Sequence, residues 1–270
     1  MILPNGSCRR RRLWRPGLSV LLALALLLGV RSPAFAGEAS VAVAANFLEP
    51  LKALQADFEQ GTGHRLKLSA GSTGELFTQI VNGAPYDVFL AADQKRPAVL
   101  EKDGRAVADS RFTYAVGRLV LWSADDGLIT EDAPAVLKAG GFRQLAIANP
   151  KTAPYGEAAL QAMRALGVHE ALAPKIVQGQ SLSQAYQFVA TGAAELGFVA
   201  LSQVRSAASG EQPGGSMWLV PPEIYDPILQ DAVLLTRGRD NDTAQVFLAY
   251  LKGATARRLI EAAGYGVAQP

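Results

Sequence analysis

The strongest constraint in this chain is a repeated local order: a short apolar strand, a turn of small polar residues, then an amphipathic helix. Val41-Ala-Val-Ala-Ala45 reads as a buried strand and Asn46 as the cap of a helix in which Leu48, Leu51, Leu54 and Phe58 recur at helical spacing. Pro50 suits that helix's first turn, and Gly61 is expected to close it. Arg65 to Leu68 is the next strand, and Ser69-Ala-Gly-Ser-Thr-Gly-Glu-Leu76 carries it into a second helix with Leu76, Phe77, Ile80 and Val81 inward. Tyr86 to Ala91 is a third strand, and Asp93 can cap the helix that runs to Lys102. Strands separated by helices cannot pair as hairpins, so this order predicts an α/β fold with a mainly parallel sheet covered on both faces.

The pattern then breaks and restarts. Phe112-Thr-Tyr-Ala-Val116 and Arg118-Leu-Val-Leu-Trp122 form a long extended segment split by Gly117. Strands at Leu145 to Ala148, Lys175 to Gln178 and Glu195 to Ala200 follow, with helices over Gly156 to Leu166 and Leu182 to Ala190. Ser206 to Gly215 reads as a polar surface loop, Ile228 to Leu235 as a second extended segment, and Thr243 to Leu251 and Thr255 to Ala263 as two closing helices. Two extended crossings predict two lobes: residues 37–115 with 229–270 in lobe I, and 116–228 in lobe II. The crossings are candidate hinges, and a cleft is expected between the lobes.

Residues 1–36 stand apart. Arg9 to Arg12 and Arg15 form a basic start, Leu18 to Val30 an apolar run, and Ala34-Phe-Ala36 a site with small residues where a signal peptidase reads. This predicts a secretory signal cut after Ala36 and a periplasmic mature protein. The apolar run is short for a membrane span. The segment holds six of the chain's 26 basic residues and none of its 24 acids, so its loss leaves a net charge of −4. No basic stripe marks a nucleic-acid binder. Cys8 is the single cysteine and leaves with the leader, which excludes disulfides, thiol catalysis and thiolate ligands from the mature chain.

Each lobe offers two turns that leave a strand and open a helix: Ala45-Asn46 and Ser72-Thr73 in one, Pro154-Tyr155-Gly156 and Gln180-Ser181-Leu182 in the other. Ligands of parallel sheets sit beyond the carboxyl ends of the strands, so facing lobes would bring all four turns together. Helix N-termini, hydroxyls and an amide make a donor set suited to an anion. Lys151 is the one basic residue near these turns and Glu75 the one acid, each expected to face solvent or complete a cap. Donors without an acceptor favour a fully ionised tetrahedral oxyanion over one that carries a proton.

These segments are similar to a known family. VAVAANF, AGSTGELFTQIVNGAPYDVFLAADQK, FTYAVGRLVLW, IANPKTAPYGEAALQAM, SLSQAYQ, AELGFVALSQV and YLKG with AAGYG, in this order over residues 39–269, resemble the periplasmic molybdate-binding proteins of ABC importers. The resemblance implies a two-lobed type II periplasmic binding fold, molybdate or tungstate as ligand, an ABC permease as partner, a monomer, no cofactor and no catalytic residue. Family contacts fall on Ala45, Asn46, Ser72, Thr73, Tyr155 and, through its main chain, Leu182, holding the metal as an oxyanion without direct metal ligands. Many members have serine where Asn46 stands and tyrosine where Ala200 stands, so the hydroxyl supplied here by Tyr155 comes from a different loop. The register of the second helix favours Thr73 over Ser72 as the inward hydroxyl.

Two alternatives are weighed beside this reading. A sulfate or other oxyanion carrier shares the fold class, and an exported serine-dependent hydrolase would use the same hydroxyls. Against the second, GSTG is not the G-x-S-x-G nucleophile elbow, and His64 and His169 stand apart from any triad or zinc pattern. Trp122 and Trp218 are expected to pack.

Overall fold

In the computed structural model, residues 1–2, 37–130, 132–205 and 214–267 are described. Residues 3–36, the rest of the expected leader with its cleavage motif, and residues 206–213 of the expected surface loop lie outside them. The chain opens with β1 (Glu38–Ala44), a 3-10 turn (Ala45–Phe47), α1 (Leu48–Thr62), β2 (Arg65–Gly71), α2 (Thr73–Val81), β3 (Val88–Leu90), α3 (Lys95–Lys102) and β4 (Phe112–Gly117). β5 (Leu119–Ser123), α4 (Ala133–Ala139), β6 (Leu145–Ala148), α5 (Pro154–Ala165), α6 (His169–Leu172), β7 (Ile176–Gly179), α7 (Leu182–Ala190), β8 (Leu196–Ala200), α8 (Leu201–Val204) and β9 (Ser216–Leu219) follow. β10 (Ile228–Leu234), α9 (Asp242–Leu251) and α10 (Ala254–Ala262) close the chain.

Two five-stranded sheets result, ordered β2-β1-β3-β10-β4 and β7-β6-β8-β5-β9. They share one plan. Three parallel strands come from successive strand-helix units, and the fourth strand in each runs antiparallel to its neighbours. That fourth strand is the one that has just arrived from the other sheet, β10 in the first and β5 in the second. The crossings are thus Arg118, alone between β4 and β5, and residues 220–227 before β10.

Both faces of the first sheet are covered. Val41 and Val43 of β1 pack with Leu51, Leu54, Phe58 and Phe247, while Ala42 between them turns to Leu76 and Ile80. This period-two division is why β1 reads as a continuous apolar run. The second sheet is built likewise, with Leu119, Leu121, Ile147 and Phe198 against Ala159 and Met163, and Val120 and Val199 against Ala185 and Val189. Among the described residues, no helix is long and apolar enough to cross a membrane.

The end of α1 departs from the sequence reading. Gly61 lies inside α1, and Gly63 ends it, with φ at 74° and its N–H on the Glu59 carbonyl. The chain must turn left-handed to satisfy that carbonyl, and Gly63 is placed where the turn falls.

Candidate functional site

The four turns named from the sequence meet between the sheets. Ala45, Asn46, Ser72, Thr73, Tyr155 and Leu182 all line one small cavity of about 10 Å³, with Ala44, Ala92, Ala153 and Pro154. Ala45 is 8% exposed and the other five are 1 to 3% exposed. No charged side chain lines this cavity. Two larger crevices nearby mix acids with bases: one includes Asp93, Lys95 and Glu157, the other adds Arg96 and Lys151.

Backbone geometry explains the convergence. Thr73 and Leu182 are the first residues of α2 and α7, and Tyr155 is the second of α5. Backbone N–H groups at such positions lack intrahelical partners and carry the positive end of the helix dipole. Tight approach is obligatory around them. A Cβ on Gly156 would lie 2.2 Å from the Ala148 carbonyl oxygen, and one on Gly117 would lie 2.3 Å from the Tyr155 hydroxyl. Gly117, read from the sequence as a break in an extended segment, is therefore the space that Tyr155 occupies.

Both hydroxyls of the second turn accept backbone bonds. Ser72 Oγ takes the Glu75 N–H at 3.3 Å, Glu75 returns a carboxylate oxygen to the Ser72 N–H, and Thr73 Oγ1 takes the Ala92 N–H at 3.1 Å. Glu75 thus completes a capping box. With their oxygens accepting, both hydroxyls keep a proton to donate.

Asn46 behaves differently from a helix cap. α1 begins without a side-chain cap, and the Asn46 amide points into the interior, where Nδ2 donates to Gln230 Oε1 at 2.9 Å and to the Tyr265 hydroxyl at 3.0 Å. The 3-10 turn over Ala45–Phe47 moves the helix start past Asn46 and frees its side chain. Beneath the cavity, Tyr114 donates to Gln230 Oε1 at 3.1 Å and Gln230 Nε2 donates to the Tyr155 hydroxyl at 3.3 Å. Ser202 donates to the Asn46 carbonyl at 3.1 Å. Burial pushes the phenols of Tyr114 and Tyr155 well above their ordinary value and that of Tyr265 up to about 12. All three remain neutral donors near neutral pH.

Sequence reasoning missed Gln230, Tyr265, Tyr114 and Ser202. The visible signal for the first is the polar pair Gln230-Asp231 inside the apolar run of β10, both fully buried, at an irregularity in the register. Arg96 was also missed. Its Nη2 donates to the Lys151 carbonyl at 3.1 Å, so Lys151 is not the only base at these turns. Gly74 N–H donates to the Thr152 carbonyl at 2.8 Å beside it, and both bonds join the lobes.

Ala200 does not line the cavity. Neither does His64, which meets Thr243, nor His169, which meets Glu170. Trp122 stacks on Tyr186 with ring centres 4.8 Å apart, and Trp218 packs on the second-lobe core. Among the described residues, no group of three or more His, Cys, Asp or Glu side chains could hold a metal ion.

Comparison with known proteins gives a consistent set of relatives. The family described as bacterial extracellular solute-binding protein matches residues 39–266. The molybdate-binding protein ModA of Azotobacter vinelandii is 57% identical over 232 residues, covering 86% of this chain and 91% of that protein. ModA of Rhodobacter capsulatus is 51% identical over 243 residues, covering 90% and 94%. The solved structure of the Azotobacter vinelandii periplasmic molybdate-binding protein superposes with a TM-score of 0.82 at 45% identity, covering 86% of this chain and all of that one.

Proposed function

The chain belongs to the bacterial extracellular solute-binding proteins, and from that premise we infer that it captures molybdate, or tungstate, between its lobes and delivers it to an ABC importer. One observation carries the reading to a tetrahedral oxyanion: the buried cavity is lined by helix starts, hydroxyls and no charged side chain. Several neutral donors share a double negative charge at low desolvation cost, and the missing acceptor disfavours anions that keep a proton.

In this reading the Ser72, Thr73 and Tyr155 hydroxyls donate to the bound oxygens, and the turn Ala45-Asn46 and Leu182 add main-chain N–H groups. Asn46 Nδ2 has its two hydrogens on Gln230 and Tyr265, which leaves the asparagine's main chain as its donor. No catalytic step and no cofactor is assigned. The lobes, 37–115 with 229–270 and 116–228, close about Arg118 and residues 220–227. The leader, residues 1–36, directs a monomeric binding protein to the periplasm, where an ABC permease receives the ligand.

Titration calorimetry on ligand-stripped protein tests this. Molybdate and tungstate are expected to bind one to one, and sulfate and phosphate far more weakly, phosphate because no charged or carboxylate acceptor lines the cavity for its proton. No heat from molybdate at micromolar protein overturns the assignment.

A further inference from the structure

The buried network beneath the cavity has a direction. The Asn46 backbone oxygen accepts the Tyr265 hydroxyl at 2.7 Å, the shortest bond that hydroxyl makes, and Ser202 Oγ, 2.8 Å from Tyr265 and 3.1 Å from the same carbonyl, then donates to one of the two. The Tyr265 oxygen must then accept from Asn46, which brings the Asn46 amide nitrogen to this side and turns it toward Gln230 as well. Gln230 answers with Oε1, which shares the Tyr114 hydroxyl proton with the Ala91 carbonyl. Its Nε2 is left facing Tyr155 and donates to the tyrosine oxygen. That oxygen now accepts, so its own single proton is directed away from Gln230 and can turn from the neighbouring Tyr265 oxygen to an anion in the cavity that Tyr155 lines.

We propose that Gln230 is a positioning residue that sets ligand selectivity: it holds Tyr155 so that a hydrogen, never a lone pair, faces the bound anion. The proposal rests on the anion-binding reading above. Ser72 and Thr73 already present protons, because their oxygens accept Glu75 and Ala92 N–H groups. Tyr155 is then the one hydroxyl lining the cavity whose rotation could offer a protonated oxyanion its acceptor, and Gln230 removes that choice. The register irregularity at Gln230 and Asp231 makes this possible. Both neighbours are buried, yet Asp231 turns to Arg111 and Thr113 while Gln230 turns to the tyrosines.

A double-mutant cycle tests the link. Molybdate is titrated into wild type, Gln230→Met, Tyr155→Phe and the double variant, with thermal melts confirming folding. Gln230→Met is expected to weaken binding about tenfold in the wild-type background and less than about twofold once Tyr155→Phe has removed the hydroxyl. An equal loss in both backgrounds means that Gln230 does not act through Tyr155, and overturns the proposal. Where the methionine variant shows no folding transition, Gln230→Glu takes its place, since its carboxylate accepts from Asn46, Tyr114 and Tyr155 alike and draws the Tyr155 proton inward. Its affinity ratio of hydrogen phosphate to molybdate, measured where both are dianions so that the added charge cancels, is expected to rise at least about tenfold. An unmoved ratio overturns the proposal. Wild type that binds no molybdate overturns the functional reading and this inference with it, whereas wild-type binding with unresponsive Gln230 variants overturns this inference alone.

Discussion

Tyr155 reaches the cavity from the second position of α5, and its hydroxyl is the one side-chain donor that the second lobe places in the lining. Tyr155→Phe removes that donor and little volume. The expected cost is about 1 to 2 kcal/mol of molybdate affinity, around the lower end of the worth of one hydrogen bond to a charged group; unchanged affinity by calorimetry removes Tyr155 from the site. The same buried phenols set an alkaline limit. Tyr114, Tyr155 and Tyr265 are all raised by burial, the last to about 12. A raised folded value means that the unfolded chain loses its protons first, near pH 10, while the folded chain keeps them. Stability from these groups is therefore complete below about pH 10 and falls by about 1.4 kcal/mol per pH unit for each phenol until its folded value is passed. Thermal melts from pH 8 to 11.5 should show this decline, and Tyr265→Phe should make it shallower. A decline as steep as in the wild type would remove Tyr265 from that account.

At the scale of elements, the strand-to-helix order was legible because each unit carries its own period: apolar runs in β1 and β6, helical spacing in α1 and α5, small polar turns between. The same locality made residues of the cavity lining visible, since Ser72, Thr73, Tyr155 and Leu182 sit where a strand hands over to a helix. The supporting layer was hidden for the opposite reason. Asn46 bonds to Gln230 and Tyr265, partners 184 and 219 residues away, and no local period encodes such a pair. Gly117 falls between these cases. Its sequence signature was a break, but its physical reason is the Tyr155 hydroxyl packed against it. Gly117→Ala is predicted to displace Tyr155 and strain the crossing, lowering stability by about 1 to 3 kcal/mol as overpacking does, and to weaken molybdate binding in the same protein. Denaturant melts with and without molybdate measure both effects. Wild-type values in both would mean that the crossing yields around the added methyl.

For the whole molecule, the proposed closure of the lobes would make affinity depend on more than contacts to the ion. Among the bonds that cross between the lobes beside the cavity, two lie side by side and leave its lining residues' side chains untouched: Gly74 N–H to the Thr152 carbonyl, and Arg96 Nη2 to the Lys151 carbonyl. Arg96 is held in place by Asp93, whose carboxylate it meets one turn back on its own segment. Such a latch adds to the free energy of the closed form whatever ion is inside, because it makes no contact with the ligand. Removing it shifts the equilibrium toward open protein and lowers apparent affinity by the fraction of closed protein lost. Arg96→Ala is therefore predicted to weaken molybdate and tungstate binding by the same factor, about three- to tenfold, less than a buried bond to a charged donor because this one is exposed to solvent. The loss should appear mainly as faster release, since a latch formed on closing slows opening. Stopped-flow release into excess chelating competitor, run with both ions, separates the possibilities. Equal acceleration for both ions supports a latch, whereas a change in the ratio between them would place Arg96 in ligand recognition and remove it from closure.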